Sequence, residues 1–306
     1  MSFFKLASDD KHEIFVHTWA VDTPSKVLLI AHGMAEHGAR YATLAAFLNT
    51  HAISVYAIDH RGHGKSAPTN DEIGHFTKNP SDNGWEKVVS DLNKVTTHLS
   101  ALYPNIPLVL FGHSMGSFIS LGYAIRYGSK LSSLILSGSN SSPIFLYQIA
   151  RAIARLESWR QGANGKSALI SFLSFGSFNK KFEPARTEFD WLSRDPAQVD
   201  VYINDPLCGF KMSNQSWWDL LGGLIEISQR ERLTQIPSHL PVYIFGGNND
   251  PVGGFGKGLD RLAKELRSSG ISNIKLKLYP EGRHEMINEI NNKEVFSDII
   301  GWINNI

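Results

Sequence analysis

Gly112-His113-Ser114-Met115-Gly116 constrains this chain more than any other stretch. It follows the short apolar run Leu108-Val109-Leu110-Phe111, which Pro107 opens. It precedes a segment, 117–127, in which Phe118, Ile119, Leu121 and Ala124 read as the apolar positions of a helix. A strand that turns at once into a helix holds Ser114 at the tip of a strained turn. The neighbours of such a serine must be small, and Gly112 and Gly116 supply the space. The hydroxyl then stands above the end of a sheet, close to a helix N-terminus, where it is placed to attack a carbonyl carbon.

The remainder alternates strand-like and helix-like segments. Segments 2–7 and 13–19 flank an acidic turn and predict an opening hairpin. Segments 27–31, 54–58, 108–111, 131–136, 240–245 and 274–279 predict a mostly parallel sheet, with helices such as 85–102 and 255–267 between the strands. This is an α/β fold with helices on both faces. Between 140 and 237 the rhythm breaks: there is no strand-like alternation, and aromatics are many. The chain is therefore divided into a catalytic domain, 1–139 with 238–306, and an inserted, mainly helical cap, 140–237.

A serine needs a base and an acid to become a nucleophile. Strand 240–245 runs into Gly246-Gly247-Asn248-Asn249-Asp250, and strand 274–279 runs into Pro280-Glu281-Gly282-Arg283-His284. Asp250 and His284 thus both lie on loops after strands, at the same edge of the sheet as Ser114. The order Ser114, Asp250, His284 differs from the two common serine-protease orders and is that of the α/β-hydrolase triad. An oxyanion hole in that arrangement takes one N–H after the nucleophile and one from an earlier loop. Met115 and Met34 are the candidates, Met34 lying on the loop His32 to Tyr41 that follows strand 27–31.

His32 to Tyr41, then Asp59-His60-Arg61-Gly62-His63-Gly64-Lys65-Ser66, then the serine turn, resemble the monoacylglycerol lipase and lysophospholipase branch of the α/β-hydrolase superfamily. Trp191-Leu192-Ser193-Arg194-Asp195 and Asn204-Asp205-Pro206-Leu207-Cys208-Gly209-Phe210 resemble the insertion of bacterial members. The resemblance covers nearly the whole chain. It implies the α/β-hydrolase fold, a nucleophile at Ser114, an acid at Asp250, a base at His284, oxyanion donors at Met34 and Met115, and no cofactor. It implies a small acyl ester or lipid as substrate. The branch also includes esterases of many kinds and relatives named as aminopeptidases. For that second activity Glu183, Glu188 and Asp190 could hold a substrate ammonium. A non-catalytic scaffold is the third reading, against which the complete set of groups argues.

Composition excludes other classes. The 306 residues carry a net charge of +1 and no basic block, which argues against nucleic acid. A single cysteine, Cys208, excludes an internal disulfide and fits a reducing compartment. No signal-like segment and no apolar run near the ~18 residues of a membrane span are present, so a cytoplasmic location is expected. His60 and His63 are three apart, but the glycines between and after them read as a tight turn rather than a metal site. Gly-His-Gly-Lys-Ser lacks the spacing of a phosphate loop.

The insertion bears on the substrate. Segment 143–160 reads as a helix on which Gln148, Arg151, Arg155 and Ser158 share a face, and Ile144, Phe145, Ile149, Ile153 and Leu156 lie around the remainder. From 141 to 181, six basic residues face one acid, a net +5. Either this helix packs its apolar face on the catalytic domain with its arginines in water, or its basic face lies on an anionic membrane, giving peripheral contact through the cap. Phe145, Ile149, Phe172, Phe175 and Phe178 are candidate substrate contacts. The last three, with Phe182, could line an acyl tunnel or form the core of the cap.

Overall fold

Continuous apolar runs make strands that must be covered on both faces, and the structure covers them. A computed structural model describes residues 2–306. Eight strands, β1 (Ser2–Ala7), β2 (Glu13–Trp19), β3 (Lys26–Ala31), β4 (Ile53–Ile58), β5 (Leu108–His113), β6 (Ser133–Ser137), β7 (Val242–Gly247) and β8 (Ile274–Tyr279), form one sheet. Their order is β1-β2-β4-β3-β5-β6-β7-β8. β1 pairs antiparallel with β2, and β2 with β4; every later pairing is parallel. The expected opening hairpin is present, and Lys11 supplies the left-handed residue of its turn at φ 64°.

The helices are α1 (Ala42–Asn49), α2 (Gly84–Leu102), α3 (Met115–Tyr127), α4 (Ile144–Gln161), α5 (Ala168–Phe175), α6 (Pro196–Asn204), α7 (Asn214–Ile227), α8 (Arg230–Leu233), α9 (Lys257–Ser268) and α10 (Asn292–Ile303). Successive strand residues point to opposite faces, and this divides the core in two. Val27, Leu29 and Ala31 join Leu108 and Leu110 in a cluster with α2, α3 and α9. Leu28 and Ile30 join Val109 and Phe111 in a second cluster, with α1 and α10. A side chain of this size contributes about 1.5–3 kcal/mol when fully buried, so both faces of the sheet are strongly anchored.

The parallel register aligns the ends of these strands. Ala31 lies opposite Gly112, His113 opposite Ser137, and Gly247 opposite Tyr279. The loops after β3, β5, β7 and β8 therefore emerge along one edge.

Helices α4 to α8 lie between β6 and β7, and no strand falls there among the described residues. Of these, α7 packs on the main core: Leu220, Leu221 and Leu224 belong to the cluster of Trp85 and Val88. Trp85 lies so close to Gly223 that a side chain there would strike the indole.

The orientation of α4 differs from both sequence expectations. Its inner face is Ala150, Arg151, Ala154 and Glu157, packed toward α7. The Arg151 guanidinium lies 3.9 Å from the centroid of the Trp218 ring, and that of Arg155 lies 5.4 Å from it. Gly222 makes room for Arg151, since a Cβ there would sit 3.1 Å from the guanidinium. Small residues and a flat cation–π stack let the two helices approach; Tyr147 and Ile153 pack against the core, and the other bulky side chains are turned outward. Phe145, Leu146, Ile149, Leu156 and Trp159 are exposed, Trp159 at 84%.

Candidate functional site

Ser114 has φ 51° and ψ −121°, a left-handed conformation that costs a residue with a Cβ about 1–3 kcal/mol. Its surroundings enforce the turn. Its N–H donates to Ser137 O on β6 at 2.9 Å, and its carbonyl accepts from Ser117 N at 2.8 Å and Ser117 Oγ at 2.6 Å. A Cβ on Gly112 would lie 2.5 Å from Gly116 O, and one on Gly116 would strike the Ala31 carbonyl. The two glycines are thus required by the close approach of α3 to the ends of β5 and β3.

Asp250 and His284 arrive from the neighbouring loops. Asp250 is fully buried; its Oδ2 lies 3.0 Å from His284 Nδ1, and its Oδ1 accepts from Val252 N at 2.8 Å. With Nδ1–H given to the carboxylate, Nε2 of the neutral ring is left as the acceptor. Burial alone lowers the affinity of His284 for a proton, but the charge and hydrogen bond of Asp250 outweigh it and raise its pKa above the ordinary 6.5. Glu285 and Glu36 act in the same direction. His113 packs against His284 with centroids 4.8 Å apart. Burial, then the neighbouring His284, pushes it down to about 4.

The histidine loop is held by the segment between α5 and α6. His284 N donates to Trp191 O at 3.3 Å and Glu285 N to Leu192 O at 2.8 Å. The Trp191 ring lies 5.1 Å from that of His284. Arg194 Nε reaches Glu289 Oε2 at 2.9 Å, and Ser193 Oγ donates to Asn288 O at 2.8 Å.

Ser114, His284, Met34 and Met115 line one cavity of about 700 Å³. Met115 opens α3, where backbone N–H groups have no acceptor within the helix. Met34 lies between Gly33 and Ala35, the latter left-handed at φ 54°. Tyr202 Oη and Gly209 N both donate to the Ala35 carbonyl, at 3.0 Å each.

Phe172, Phe175 and Phe178 line the cavity, with Trp191, Trp217 and Leu220. Phe145 and Ile149 do not: they are 57% and 55% exposed on the outer face of α4, and Tyr147 takes the inward position. Apolar residues nearly all around α4 left its inward face undetermined from sequence. Of the three acids considered for an ammonium, Glu188 lines the cavity. Asp190 instead accepts from Arg186 N at 2.6 Å and Thr187 Oγ1 at 2.5 Å. Sequence reasoning also passed over Glu36, Arg40, Glu285 and Trp217; the first two sit in the quoted His32 to Tyr41 stretch, but pairing with Glu285 spans 245 residues.

Two groups of potential metal donors occur among the described residues, His17, His37 and Asp59, and His37, Asp205 and Cys208. Hydrogen bonds already engage the histidines and aspartates among them: His17 Nε2 lies 3.1 Å from Asp59 Oδ1, and His37 Nε2 lies 2.8 Å from Asp205 Oδ2. Asp59 further accepts from Gly38 N and Lys65 N, bracing the loop after β3.

Residues 22–291 match the family described as serine aminopeptidase, S33. The chain belongs to that family. A monoacylglycerol lipase of Mycolicibacterium smegmatis is 28% identical over 300 residues, covering 95% of this chain and 92% of that protein. A monoglyceride lipase of Mus musculus is 28% identical over 98% of this chain and 88% of its own length. A thermostable carboxyl esterase from Bacillus coagulans, solved with glycerol, superposes with a TM-score of 0.90 at 28% identity over 100% of this chain and 98% of that one. The family match and these relatives place the chain in the monoacylglycerol lipase-like branch of the α/β-hydrolases, as a hydrolase.

The two adjacent imidazoles should titrate far apart. By NMR, His284 is expected to lose its proton above pH 6.5, because Asp250 favours the imidazolium, and His113 near 4. A His284 transition below 6.5, or a His113 transition near neutrality, would contradict the electrostatics described.

Proposed function

We propose that this S33 hydrolase is a serine carboxylic ester hydrolase acting on monoacyl lipids, monoacylglycerols or lysophospholipids, through an acyl-enzyme. The observation that carries this is the shared cavity: Ser114, His284, Met34 and Met115 line the same space as several phenylalanine and tryptophan side chains. The wall suits an acyl chain, and the polar groups suit an ester carbonyl. The M. smegmatis and M. musculus relatives are named for monoacylglycerol hydrolysis, which supports the same class.

In this mechanism His284 Nε2 takes the Ser114 proton as Oγ attacks the ester carbon. Asp250 holds the tautomer and stabilises the imidazolium. The Met34 and Met115 N–H groups bind the oxyanion, each such donor being worth about 10²–10³ in rate. The tetrahedral intermediate collapses, and the imidazolium returns its proton to the departing alcohol. Water, deprotonated by His284, then attacks the acyl carbonyl; collapse releases the acid and restores the Ser114 proton from the imidazolium. Each step uses side chains, backbone and water.

Residues 140–237 act as the cap in this reading, carrying Phe172, Phe175 and Phe178 over the serine. An aminopeptidase is the second reading, supported by the family description and by Glu188 at the cavity. Assay of a p-nitrophenyl acyl ester beside an amino-acyl anilide separates the two: rapid ester cleavage with a slow anilide is expected.

Ser114→Ala is expected to lower ester turnover on the order of 10⁴-fold or more, with the fold intact by circular dichroism. Wild-type-like turnover by the pure variant would reassign the nucleophile.

Membrane contact, if it occurs, falls to the apolar side of the cap rather than to its arginines. No helix among the described residues is long and apolar enough to cross a membrane. Yet α4 exposes Leu156 and Trp159, and Phe172 on α5 both lines the cavity and is 68% exposed. Burying a large apolar side chain contributes about 1.5–3 kcal/mol, roughly tenfold or more in partitioning. Leu156→Ser with Trp159→Ser should therefore weaken vesicle binding and slow turnover of vesicle-borne lipid, with a soluble short ester unaffected. Unchanged vesicle binding would remove the lipid surface from the proposal.

A further inference from the structure

A buried charge cluster joins the loop after β3 to the loop after β8. Glu36 Oε1 accepts from Gly33 N at 2.5 Å and from Tyr41 Oη at 3.0 Å, and its Oε2 accepts from Arg40 Nη1 at 2.6 Å. Arg40 meets Glu285 in a two-pronged pair, Nη1 to Oε1 and Nη2 to Oε2, each 2.7 Å. Glu285 also accepts from Asn288 Nδ2 at 2.8 Å. The Tyr202 ring covers the guanidinium at 4.9 Å, so α6 closes the cluster from the side of the insertion. All three charged side chains are buried.

We propose that Glu36, Arg40 and Glu285 form a positioning clasp that locks the oxyanion loop to the histidine loop and keeps one excess negative charge beside the Ser114–His284 pair. The inference rests on the triad reading above and deepens it. Three observations carry it. Glu36 holds the N–H of Gly33, the residue before Met34, and so sets the direction of the next peptide, whose N–H is the proposed oxyanion donor. A carbon added to Gly33 would lie 2.8 Å from Glu36 Oε1, 3.2 Å from Ser114 Cβ and 3.3 Å from His113 Cδ2, so carboxylate, serine and histidine flank one glycine. Glu285 is bonded to His284 in sequence, and Arg40 fixes it with both oxygens.

Buried ion pairs add little stability on balance, because desolvation offsets attraction. What they do specify is geometry, and here they specify the distance between two loops that must converge on one carbonyl. The charge count has a second consequence. Two carboxylates share one guanidinium, and the remaining negative charge favours an imidazolium at His284. The groups facing His284 are Asp250 from the loop after β7, Glu36 from the loop after β3, Glu285 from its own loop, and neutral His113 from β5; the insertion presents only the uncharged Trp191.

Three variants test the clasp on a soluble p-nitrophenyl ester, with fold checked by thermal melting. Glu36→Gln keeps one oxygen, enough for Gly33 N, and Glu285→Gln keeps one prong to Arg40; each removes the charge. Each is expected to move the acid limb of kcat/KM to lower pH. Glu36→Ala also frees Gly33 N, and kcat should fall on the order of 10²-fold with KM little changed, as misplacement of a catalytic group does. Glu36→Gln should restore most of that kcat. An acid limb unmoved in the folded glutamine variants, or a loss in KM rather than kcat for Glu36→Ala, overturns the proposal. So does failure of both glutamine variants to fold, which would make the clasp structural only. Ser114→Ala in the same assay separates the readings: if it is inactive while the acid limb stays fixed, the clasp fails and the triad stands.

Discussion

The conformation of Ser114 is the constraint on which the rest of the structure depends. A left-handed serine between β5 and α3 is stable only where α3 is pressed against the sheet, and two glycines make that approach feasible. The approach in turn fixes the N-terminus of α3, and with it the Met115 N–H, beside the hydroxyl. Because β3, β5, β7 and β8 are parallel and in register, the loops that carry Met34, Asp250 and His284 emerge along the same edge as Ser114. The strain at one residue is therefore offset by the packing of a whole sheet, including side chains such as Leu29 and Leu110 that do not line the cavity.

The residues between β6 and β7 do more than wall the cavity. Trp191 and Leu192 accept the backbone N–H groups of His284 and Glu285, and Arg194 anchors Glu289 behind them. Tyr202 and Gly209 hold the carbonyl of left-handed Ala35. The same segment that walls the cavity thus positions the loops on both sides of the serine. α7 belongs to the main core, so this part of the insertion is tied to the sheet. A change of substrate through the insertion cannot be made independently of the chemistry where these contacts are concerned.

Much of this was legible in the sequence. The continuous apolar runs 27–31 and 108–111 placed strands that the structure extends by one or two residues, as β5 runs on to His113. Glycine on both sides of Ser114 marked the turn, and the order of serine, acid and histidine marked the edge. The face of α4 was not legible. Its apolar residues lie nearly all around the helix, and a pattern of that kind does not say which side is covered. The stack of Arg151 on Trp218, 67 residues away, decides it and carries Phe145 and Ile149 outward. The clasp of Arg40 with Glu285 was illegible for a related reason: periodicity reads neighbours on one element, and these residues meet only after eight strands have been ordered.

The central claim is that one hydroxyl, at Ser114, is raised to a nucleophile by the groups around it. Reaction of the native protein with a fluorophosphonate, followed by peptide mass mapping, tests it most directly. A single adduct on the peptide that contains Ser114, formed in the folded protein and abolished by unfolding, is the expected result. An adduct on another residue, or none with the protein folded, would contradict it.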